Sequence, residues 1–512
     1  MKEIDVIGNP YINNLKGLHG IYEPSSHVKD TKALAQREKD LNKIVPSLEE
    51  AVKLSGLQDG MTISFHHHFR NGDCIVNQVV EKLAQMGFKN LTIAASSLTD
   101  IHDALIQYIE NGVIGHIETS GMRGKLAEAI SYGIMEIPVV FRSHGGRADA
   151  IERGEMQIDV AFLGVPSCDP YGNANGYSRD NDTSIIFGSM GYAKVDAQYA
   201  KKTVLITNNL VPYPNIPFGI PESDVDYIVI VDEIGNPNEI MSGATRFTTN
   251  PKDILIAQQA ANVIEASGYF QDGFSMQMGS GGASLAVARF LRGKMIDQNI
   301  RASFALGGIT ASIVDMHEEG LIKKILDVQS FDLTAALSLK NNRFHQQISA
   351  SYYASPSNLG TAVNQLDVVV LSALEIDINY NVNVLTGSDG IIRGAIGGHP
   401  DTAAGASLTI IVAPLIRGRI PTVVEKVNTI VTPGNTVDIL VTDQGIAIND
   451  RREDLKENLK RMGIKFCSIH DLRYMAEKIV GVPKAIIYDE KVVGVVAYRD
   501  NTIIDLIHQI KQ

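Results

Sequence analysis

The chain has 512 residues, of which 44% are hydrophobic and 20% charged, a composition typical of a globular protein too long for one ordinary core. Its formal net charge of -12 argues against nucleic-acid phosphates as the main partner, because no basic excess can displace counterions. Three separated cysteines, no signal-like apolar stretch and no apolar run of membrane-spanning length lead us to expect a cytoplasmic protein without a membrane segment.

Short apolar segments rich in β-branched residues recur along the chain, separated by stretches with helical spacing. Those of the first half read MTISF, LTIAA, DVAFLGV, TVLIT and DYIVIV, and those of the second half read SFALGG, DVVVLSA, LTIIVA and DILVTD. Nearly continuous apolar strands of this kind are typical of parallel sheets covered by helices on both faces. The pattern therefore predicts an α/β fold with mostly parallel sheets flanked by helices.

An internal repeat divides the chain. Residues 157–175 align without a gap with residues 365–383, through the shared pattern Q-[IL]-D-V-x-x-L followed by D-x-x-x-N-x-N. Further pairs match in the same order: 59–68 with 272–281, 111–117 with 319–325, and 226–232 with 438–444. Such an ordered series predicts two tandem α/β domains from a duplication, residues 1–245 and 250–512, with a ligand cleft between them.

The strand MTISF of the first domain runs into SFHHHFRNGD, residues 64–73. Because neighbouring strand residues face opposite sides, His66 and His68 are expected to share one side while His67 faces away. Three consecutive histidines therefore make a poor three-ligand zinc site, and no nearby carboxylate pattern completes one. Two main interpretations remain: histidines packed at a domain interface, or His66 and His68 binding a ligand beside Arg70.

Three glycine-rich turns lie at predicted strand ends of the second half. They are GSGGAS at 279–284, LGGIT at 306–310 and TGSDGIIRGAIGGHPDTAAGAS at 386–407. A turn of small residues between a strand and a helix exposes backbone N–H groups that can bind an anion or a developing oxyanion. None of them is a P-loop or a convincing dinucleotide fingerprint. They indicate either tight packing turns or one pocket for an extended phosphate-bearing or thioester ligand.

These motifs resemble the coenzyme A-transferase superfamily. QMGSGGAS, ALEIDINYNVNVLTGSDG, GAIGGHPDTAAGA and VTDQGIAIN resemble its second half in that order, and IDVAFLGVPSCDPYGNANG resembles the matching part of its first half. With SFHHHFRNGD, TSGMRGKLAEAI and FRSHGGRADAI added, nearly the whole chain resembles the citrate lyase alpha-chain family. The resemblance implies two coenzyme A-transferase-like domains, the second carrying the glycine-rich thioester site.

The resemblance also implies an activity and partners. Alpha chains of this family exchange acetyl for citryl on the thiol of a coenzyme A-like group, phosphoribosyl-dephospho-coenzyme A, which the acyl carrier (gamma) chain bears. Acetate is released, and a separate beta chain then cleaves the citryl thioester. The implied partners are these two chains, citrate and acetate, with several alpha chains in one larger complex. No metal and no dissociable cofactor is implied, and acetyl-coenzyme A is a second donor to test.

The resemblance suggests roles for individual residues. Backbone N–H groups of Gly281, Gly282 and Ala283 are expected to stabilise the carbonyl oxyanion, and arginines are expected to bind the three carboxylates of citrate, with Arg123 and Arg147 among the candidates. The expected catalytic set is Gly281, Gly282, Ala283, Asn383, Gly397 and Gly398. The expected substrate-binding set is His66, His68, Arg70, Arg142, His144, His399 and Asp401. The expected prosthetic-group set is Ser280, Ser284, Gly308, Gly387 and Ser388.

One position departs from many coenzyme A-transferases, which form a glutamyl-thioester on a glutamate shortly after GGIT. Here GGITASIV has Ser312 at that place, Glu318 and Glu319 lie further on in a predicted solvated helix, and Glu375 is expected to be structural. We therefore expect direct transfer in a ternary complex through a mixed anhydride. The alternatives are a conventional transferase with a glutamyl-thioester, and a non-catalytic docking scaffold.

Two further features receive structural interpretations. The cations Arg289, Arg292 and Lys294 are expected to complement the C-terminus of the helix that follows GSGGAS, with phosphate or carrier binding as the alternative. Cys168 has no paired base in the sequence and is expected to be a buried thiol.

Overall fold

The computed structural model describes residues 43–178, 185–240, 248–279 and 281–511. Its helices are α1 (Leu48–Ser55), α2 (Ile75–Gln85), α3 (Leu105–Glu110), α4 (Gly124–Ser131), α5 (His144–Glu152), α6 (Gly191–Tyr199), α7 (Pro251–Ala266), α8 (Gly282–Asp297), α9 (Ala311–Glu318), α10 (Leu333–Asn341), α11 (Ala350–Ala354), α12 (His399–Gly405), α13 (Glu453–Arg461) and α14 (Ile469–Val480). Within the described ranges, no helix is long and apolar enough to cross a membrane.

The strands of the first half are β1 (Ile44–Val45), β2 (Thr62–Phe65), β3 (Leu91–Ala95), β4 (Ile114–Thr119), β5 (Val139–Arg142), β6 (Val160–Gly164), β7 (Ser167–Cys168), β8 (Ala174–Asn175), β9 (Lys202–Thr207) and β10 (Tyr227–Ile230). Those of the second half are β11 (Ser275–Met278), β12 (Phe304–Ile309), β13 (Ile325–Ser330), β14 (His345–Gln347), β15 (Val368–Ser372), β16 (Glu375–Asp377), β17 (Val382–Asn383), β18 (Leu408–Val412), β19 (Ile416–Arg417), β20 (Ile420–Pro421), β21 (Val423–Val424), β22 (Ile439–Val441), β23 (Ile446–Ile448), β24 (Tyr488–Ala497) and β25 (Ile503–Ile510).

Two large sheets organise these elements. One has 10 strands in the order β1-β10-β9-β6-β2-β3-β4-β5-β24-β25, and the other has 8 strands in the order β14-β13-β12-β11-β15-β18-β22-β23. Neighbouring strands in both sheets are parallel, except for the antiparallel pairs β24–β25 and β22–β23 at one edge of each. The predicted α/β fold with mostly parallel sheets flanked by helices is confirmed.

The central strands are buried on both faces, as their continuous apolar sequences require. Val368, Val369 and Val370 of β15 are fully buried, although they point alternately to opposite faces of the sheet. Each buried valine of this kind contributes roughly 1.5–3 kcal/mol relative to an exposed one. Apolar burial on both faces therefore explains why these strands lie inside the sheets rather than at their edges.

The sequence repeat corresponds to repeated structure. The series β6–β7–β8 of the first half matches β15–β16–β17 of the second, residue for residue in the aligned segments. In the turn that follows each middle strand, Asp169 accepts a hydrogen bond from the backbone nitrogen of Asn173 at 3.1 Å, and Asp377 accepts one from that of Asn381 at 3.0 Å. The shared aspartate and asparagine thus satisfy the polar backbone of the same turn.

A second repeated feature lies at the strand starts, where a carboxylate accepts a hydrogen bond from a backbone N–H of the first or second residue of the adjacent strand. The donor–acceptor pairs, each at 2.8 Å, are Thr62–Asp159, Thr203–Asp226, Ser275–Asp367 and Thr409–Asp438. These bonds satisfy backbone donors that would otherwise be unpaired at a buried sheet end. The aspartates that the repeat shares therefore have a structural role in strand alignment.

The two sheets follow the two halves of the chain except at its end. The final hairpin β24–β25 joins the first sheet, where Gly494 of β24 pairs in parallel with Val139 of β5. The segment predicted as the second domain, 250–512, therefore contributes its last two strands to the sheet of the first. The division into two domains itself stays a prediction.

The two halves meet along residues 394–398 of the second half. Three backbone hydrogen bonds cross this junction: Met122 N to Gly394 O at 3.0 Å, Ile396 N to Ser120 O at 2.7 Å, and His144 N to Gly397 O at 2.9 Å. Gly121 permits the close approach, because a Cβ at that position would collide with Ala395. Backbone pairing thus fixes loop ends of both halves beside each other.

Candidate functional site

The junction borders a cavity of about 660 Å³, within the roughly 300–1,000 Å³ typical of small-molecule sites. Nine of the predicted site residues line it: Arg70, His144, Gly281, Gly282, Ala283, Gly308, Gly397, Gly398 and His399. The others that the structure describes lie outside its lining: His66, His68, Arg142, Ser284, Asn383, Gly387, Ser388 and Asp401. Ser280 lies outside the described residues. The structure therefore brings the predicted glycine turns together at one cavity, whereas many of the predicted polar side chains lie outside its lining.

The turn after β11 leads directly into helix α8. Gly281 is the residue before the first helical turn, and it has extended backbone angles of φ −72° and ψ 152°. The first N–H groups of an α-helix have no partner within the helix, and the helix dipole makes this end favourable for negative charge. A Cβ at Gly281 would lie 3.1 Å from the Cβ of Ser372 and closer still to its hydroxyl. Glycine therefore lets this helix start lie against β15 at the cavity wall.

A second glycine pair lies where the two halves meet. Gly397 has φ +55°, a left-handed conformation that favours glycine. A Cβ at Gly398 would lie 3.1 Å from the Cζ of Tyr353 and would collide with its hydroxyl. That hydroxyl accepts a hydrogen bond from Nε2 of Gln277 at 3.0 Å, and both side chains line the cavity. Gly398 therefore makes room for the Tyr353 hydroxyl.

Four arginines line the described part of the cavity. Arg393 pairs with Asp389, Arg417 donates to the backbone oxygen of Leu374, and the other two are Arg70 and Arg123. Arg70 adopts a left-handed conformation with φ 54°, and its guanidinium lies 5.1 Å from the ring centroid of Phe331. Burial and the nearby charge of Arg123 lower the pKa of Arg70 to about 10. A non-glycine residue in this conformation costs of order 1–3 kcal/mol and is typically found where function requires it. Two guanidinium groups that repel each other at one cavity favour an anionic ligand there.

The histidine run follows the predicted alternation, but the side that faces the cavity is the other one. His66 and His68 lie together, with ring centroids 4.1 Å apart, and His68 stacks on Phe187 at 4.6 Å. His67 lines the cavity instead, with its ring 5.7 Å from that of Tyr192. His66 and His68, which were expected to bind the substrate, therefore lie outside the described cavity lining, because they pack against aromatic side chains on the other side.

Burial keeps these imidazoles neutral. It lowers the pKa of His66 to about 4, and it lowers that of His144 to about 3 with a smaller contribution from the charge of Arg147. Burial and the neighbouring His144 and Arg70 hold the pKa of His67 well below its ordinary value. The histidines at the cavity therefore act near neutral pH as uncharged groups.

His399 lines the cavity with both ring nitrogens engaged. Its Nδ1 lies 2.6 Å from the hydroxyl of Thr432, and its Nε2 lies 3.0 Å from the backbone oxygen of Ser372. Because a carbonyl oxygen accepts only, Nε2 carries the proton in the neutral ring. Burial lowers the pKa of His399 to about 4. These contacts fix the ring as part of the wall next to the start of α8.

Arg142 and Asp401 lie in the walls rather than at the cavity surface. Arg142 donates from Nε to Glu118 at 2.8 Å. Asp401 accepts from the hydroxyl of Ser143 at 2.8 Å and from the backbone nitrogen of Gly145 at 2.9 Å, across the junction between the halves. Burial raises the pKa of Asp401 to about 6. The partners of both are thus protein groups, and those of Asp401 hold the start of α5 in place.

Asn383 and Glu375 form a buried polar pair outside the cavity lining. Asn383 donates from Nδ2 to Glu375 at 3.0 Å and to the backbone oxygen of Thr386 at 2.9 Å. Glu375 also accepts from the backbone nitrogen of Asn428 at 3.1 Å. The expected structural role of Glu375 agrees with these contacts, which also occupy the Asn383 amide.

The remaining predicted prosthetic-group residues lie at different distances from the cavity. Ser284 shares a hydrogen bond of 2.8 Å with Ser372 behind the α8 start. Gly308 lines the cavity, where the ring of Phe331 occupies the space that a side chain would need. Gly387 and Ser388 lie in the turn that precedes the Asp389–Arg393 ion pair, outside the lining.

The carboxylates are distributed unevenly around the cavity. Among the described residues that line it, the single carboxylate is Asp253, which accepts from the hydroxyl of Thr248 at 2.8 Å. Ser312, the residue where a glutamate is common in the superfamily, lies outside the lining. Glu319 forms an exposed ion pair with Arg292 at 2.5 Å. No glutamate therefore lines the described part of the cavity.

Lys294 and the Cys168 thiol have their contacts away from the cavity. Lys294 forms an ion pair with Glu265 at 2.5 Å, near the C-terminal end of α8. Cys168 is a free, fully buried thiol, and burial raises its pKa well above the ordinary value. Among the described residues, no three histidine, cysteine or carboxylate side chains are arranged to hold a metal ion.

Several cavity residues were missed by the sequence reasoning. Gln277 had a usable signal, since it is a polar residue inside the apolar strand directly before GSGGAS. Tyr353 and Tyr192 had none, because they lie on helices α11 and α6 far from the glycine motifs in sequence. His67 was identified but assigned to the wrong side.

A family model described as "Citrate lyase, alpha subunit (CitF)" matches residues 41–510. The citrate lyase alpha chain of Klebsiella pneumoniae is 58% identical to this chain over 477 residues, 93% of either protein. That of Escherichia coli (strain K12) is 57% identical over 478 residues, again 93% of either protein. Similarity at this level extends over nearly the whole chain.

Similarity to solved structures agrees with this sequence similarity. A crystal structure of the alpha subunit of citrate lyase from Streptococcus mutans, in complex with citrate, superposes with a TM-score of 0.91 at 52% identity and covers 96% of this chain and 97% of that one. A malonate decarboxylase alpha subunit from Acinetobacter baumannii has a TM-score of 0.62 at 15% identity, covering 88% and 94%. The second similarity supports the fold alone.

Proposed function

The chain belongs to the citrate lyase alpha-subunit family, and from that premise we propose that it exchanges acetyl for citryl on the thiol of an acyl carrier chain. In this reaction acetyl-carrier protein and citrate give citryl-carrier protein and acetate. The observation that carries the proposal is the cavity, because it combines a helix N-terminus with several guanidinium groups, among them those of Arg70 and Arg123.

The acyl-transfer step places negative charge on a carbonyl oxygen. When a citrate carboxylate attacks the thioester carbon, that oxygen becomes an oxyanion, which needs donors already in position. Gly281, Gly282 and Ala283 offer backbone N–H groups at the start of α8. One such donor is typically worth about 10²–10³ in rate. We assign these groups to oxyanion stabilisation.

The anionic substrate fits the charges of the cavity. Citrate carries three carboxylates, and the citrate lyase alpha subunit of Streptococcus mutans was crystallised with citrate. Guanidinium groups bind carboxylates with two parallel hydrogen bonds, so Arg70 and Arg123 suit this ligand. We therefore assign citrate to the part of the cavity near these two arginines.

The transfer itself needs no acylated protein group. A citrate carboxylate attacks the thioester carbon, the thiolate leaves, and an acetyl–citryl mixed anhydride forms. The thiolate then attacks the citryl carbon of the anhydride, and acetate leaves. Direct transfer of this kind is favoured because no glutamate lines the described part of the cavity, and its one described carboxylate, Asp253, is hydrogen-bonded to Thr248.

The thiol arrives on a coenzyme A-like group of the carrier chain, which we treat as substrate. The cavity has a volume of about 660 Å³, and the glycines Gly281, Gly282 and Gly397 line it without side chains. A beta chain is the proposed user of the citryl product, several alpha chains are proposed per complex, and the chain needs no dissociable cofactor in this scheme. Acetyl-coenzyme A carries the same kind of thioester and is proposed as a second donor.

The experiment supplies acetylated carrier chain and citrate to the purified protein. Intact-protein mass spectrometry follows the carrier, and we expect conversion from the acetyl to the citryl form with release of one acetate. Reactions without citrate, or with carrier that lacks its prosthetic group, are the controls. An unchanged acetyl-carrier in the complete reaction would contradict the proposal.

Borohydride reduction separates the proposal from a conventional transferase. After incubation with acyl donor, a glutamyl-thioester would be reduced, and peptide mapping would find a modified glutamate. We expect unmodified glutamates throughout. A modified glutamate combined with active exchange would retain the reaction but overturn the direct route.

A further inference from the structure

His67 differs from its two neighbours in how its ring is held. Its backbone nitrogen donates to the hydroxyl oxygen of Ser96 at 3.0 Å, and its ring nitrogen Nδ1 is in short contact with the same oxygen. Ser96 is fully buried on the strand end next to the histidine run. One serine therefore binds both the main chain and the ring of His67.

This contact determines which ring nitrogen carries the proton. A buried hydroxyl needs an acceptor for its hydrogen, and Nδ1 of His67 is the acceptor that the described residues offer to Ser96. If Ser96 donates to Nδ1, the neutral ring has its hydrogen on Nε2. The serine thus selects the Nε2–H tautomer.

The Nε2 end of the ring lies at the cavity. His67 is part of the lining, and its Nε2 is absent from the buried polar atoms without a partner, whereas both ring nitrogens of His68 are among them. No hydrogen bond joins Nε2 to any of the described residues. Nδ1 faces the protein through Ser96, so the N–H group of Nε2 is left for a ligand.

The surroundings of the ring make that ligand an anion. The rings of Tyr192 and His144 lie beside it, with centroids at 5.7 Å and 6.3 Å. Arg70 and Arg123 line the same cavity. Burial first, and then the neighbouring His144 and Arg70, hold the pKa of His67 well below its ordinary value. A ring among cations and aromatic groups stays uncharged, and its N–H remains a donor.

We propose that His67 donates a hydrogen bond from Nε2 to a carboxylate oxygen of the acid substrate, and that Ser96 is the positioning residue that holds this tautomer. The inference deepens the proposed function and rests on it. A neutral donor adds a directional hydrogen bond beside the guanidinium groups without adding another positive charge. The absence of a further charge suits a site that must release one carboxylic acid after accepting another.

The test measures citrate binding to the full chain by isothermal titration calorimetry. Glutamine can place its amide nitrogen near the position of Nε2, whereas asparagine reaches only that of Nδ1, so H67N and H67Q form a matched pair. Because a hydrogen bond to a charged group contributes substantially to affinity, its loss in H67N should weaken citrate binding on the order of 10- to 100-fold. H67Q should recover most of that affinity.

Ser96→Ala provides the second variant. It leaves the imidazole in place and removes the group that selects the tautomer, so we expect weaker citrate binding with a smaller loss than in H67N. The thermal unfolding midpoint of each variant is also measured. A merely structural role of His67 would lower this midpoint but would not make citrate affinity differ between H67Q and H67N. If both His67 variants fail to fold, Ser96→Ala carries the test alone.

The outcomes separate this inference from the proposed function. If the wild-type protein binds citrate but does not convert acetyl-carrier, the proposed exchange is overturned. The role of His67 is then still tested by the citrate affinities of the variants. Folded H67N and Ser96→Ala variants that bind citrate as tightly as the wild type would overturn the inference. Equal losses in H67N and H67Q would also overturn it, and so would a wild-type chain that does not bind citrate.

Discussion

Replacing Gly281 by alanine tests whether the start of α8 is part of the reaction. The backbone angles of Gly281, φ −72° and ψ 152°, are ordinary for alanine, so the substitution adds no backbone strain. The new Cβ would lie 3.1 Å from the Cβ of Ser372 and closer still to its hydroxyl, so one of the two segments has to move. The perturbation is therefore a local displacement of the helix start from β15.

The expected effect on rate is larger than that on stability. Inserting one methyl group into a packed contact typically costs about 1–3 kcal/mol, which a folded chain of this size can tolerate. Loss of one aligned oxyanion donor costs about 10²–10³ in rate, and a displacement of about 1 Å can cost about 10² by itself. We expect G281A to fold and to lose at least about 10² in kcat for acetyl–citryl exchange, with citrate affinity much less affected.

The chain offers a matched control and a matched rescue. Gly293 lies in the same helix and has no atom within 4 Å of its would-be Cβ, so G293A should keep wild-type activity and stability. Ser372→Gly removes the two atoms nearest to the new methyl group, after which the next neighbour is Ser284 Oγ at 3.9 Å. The double variant G281A/S372G should therefore recover much of the lost rate relative to G281A.

The assay is the mass-spectrometric exchange reaction under single-turnover conditions, with thermal unfolding measured in parallel. Wild-type kcat in folded G281A would refute the assignment of this backbone to the oxyanion. A loss of rate that S372G does not relieve would refute the steric reasoning, since the collision is then not its cause.

Three further substitutions probe the buried polar groups. Tyr353→Phe removes the acceptor of the Gln277 amide, so it should lower the free energy of unfolding by about 1–3 kcal/mol, and identical urea unfolding curves would contradict this. Arg147→Met leaves the buried carboxylate of Asp196 without its two hydrogen bonds of 2.6 and 2.9 Å, so it should cost about 3–5 kcal/mol, much of which a second substitution, Asp196→Leu, should restore. Burial raises the pKa of Asp401 to about 6 from an ordinary 3.8, so the folded state binds its proton more tightly and stability falls as pH rises through this interval. The free energy of unfolding of the wild type, relative to that of Asp401→Asn, should therefore decrease by up to about 3 kcal/mol between about pH 4 and pH 7. Chemical denaturation at several pH values measures this difference, and a difference that does not change with pH would contradict the prediction.

The fold was predictable because its signals are local. Continuous apolar strands and alternating helices determine the α/β class, and the paired aspartates Asp159 and Asp367 revealed the repeat. The position of β24 was not predictable in the same way. Its partner β5 lies more than three hundred residues earlier in the chain, and no local pattern of a strand specifies which sheet edge it joins.

The site was predictable where backbone chemistry dominates. Glycine-rich turns at strand ends identified Gly281 and Gly397 because small residues there leave N–H groups or the main chain accessible. Side chains were harder to place, since their direction depends on packing from distant segments. Phe187 lies on a segment far from the histidines in sequence, and its ring covers His68, which decides the side that this histidine faces.

The two strand-to-helix turns of the repeat explain why one cavity needs both halves. Residues 66–68 after β2 and residues 279–281 after β11 align in the duplication, yet they present different chemistry. The second-half turn leads through Gly281 into α8 and contributes backbone donors, which suit a charge that develops during the reaction. The first-half turn is filled by rings and contributes His67 and Arg70, whose side chains suit carboxylates that are charged from the start. Divergence of one ancestral turn into a backbone surface and a side-chain surface thus separates the binding of the acid from stabilisation of the acyl-transfer step. Neither of the two turns alone carries both.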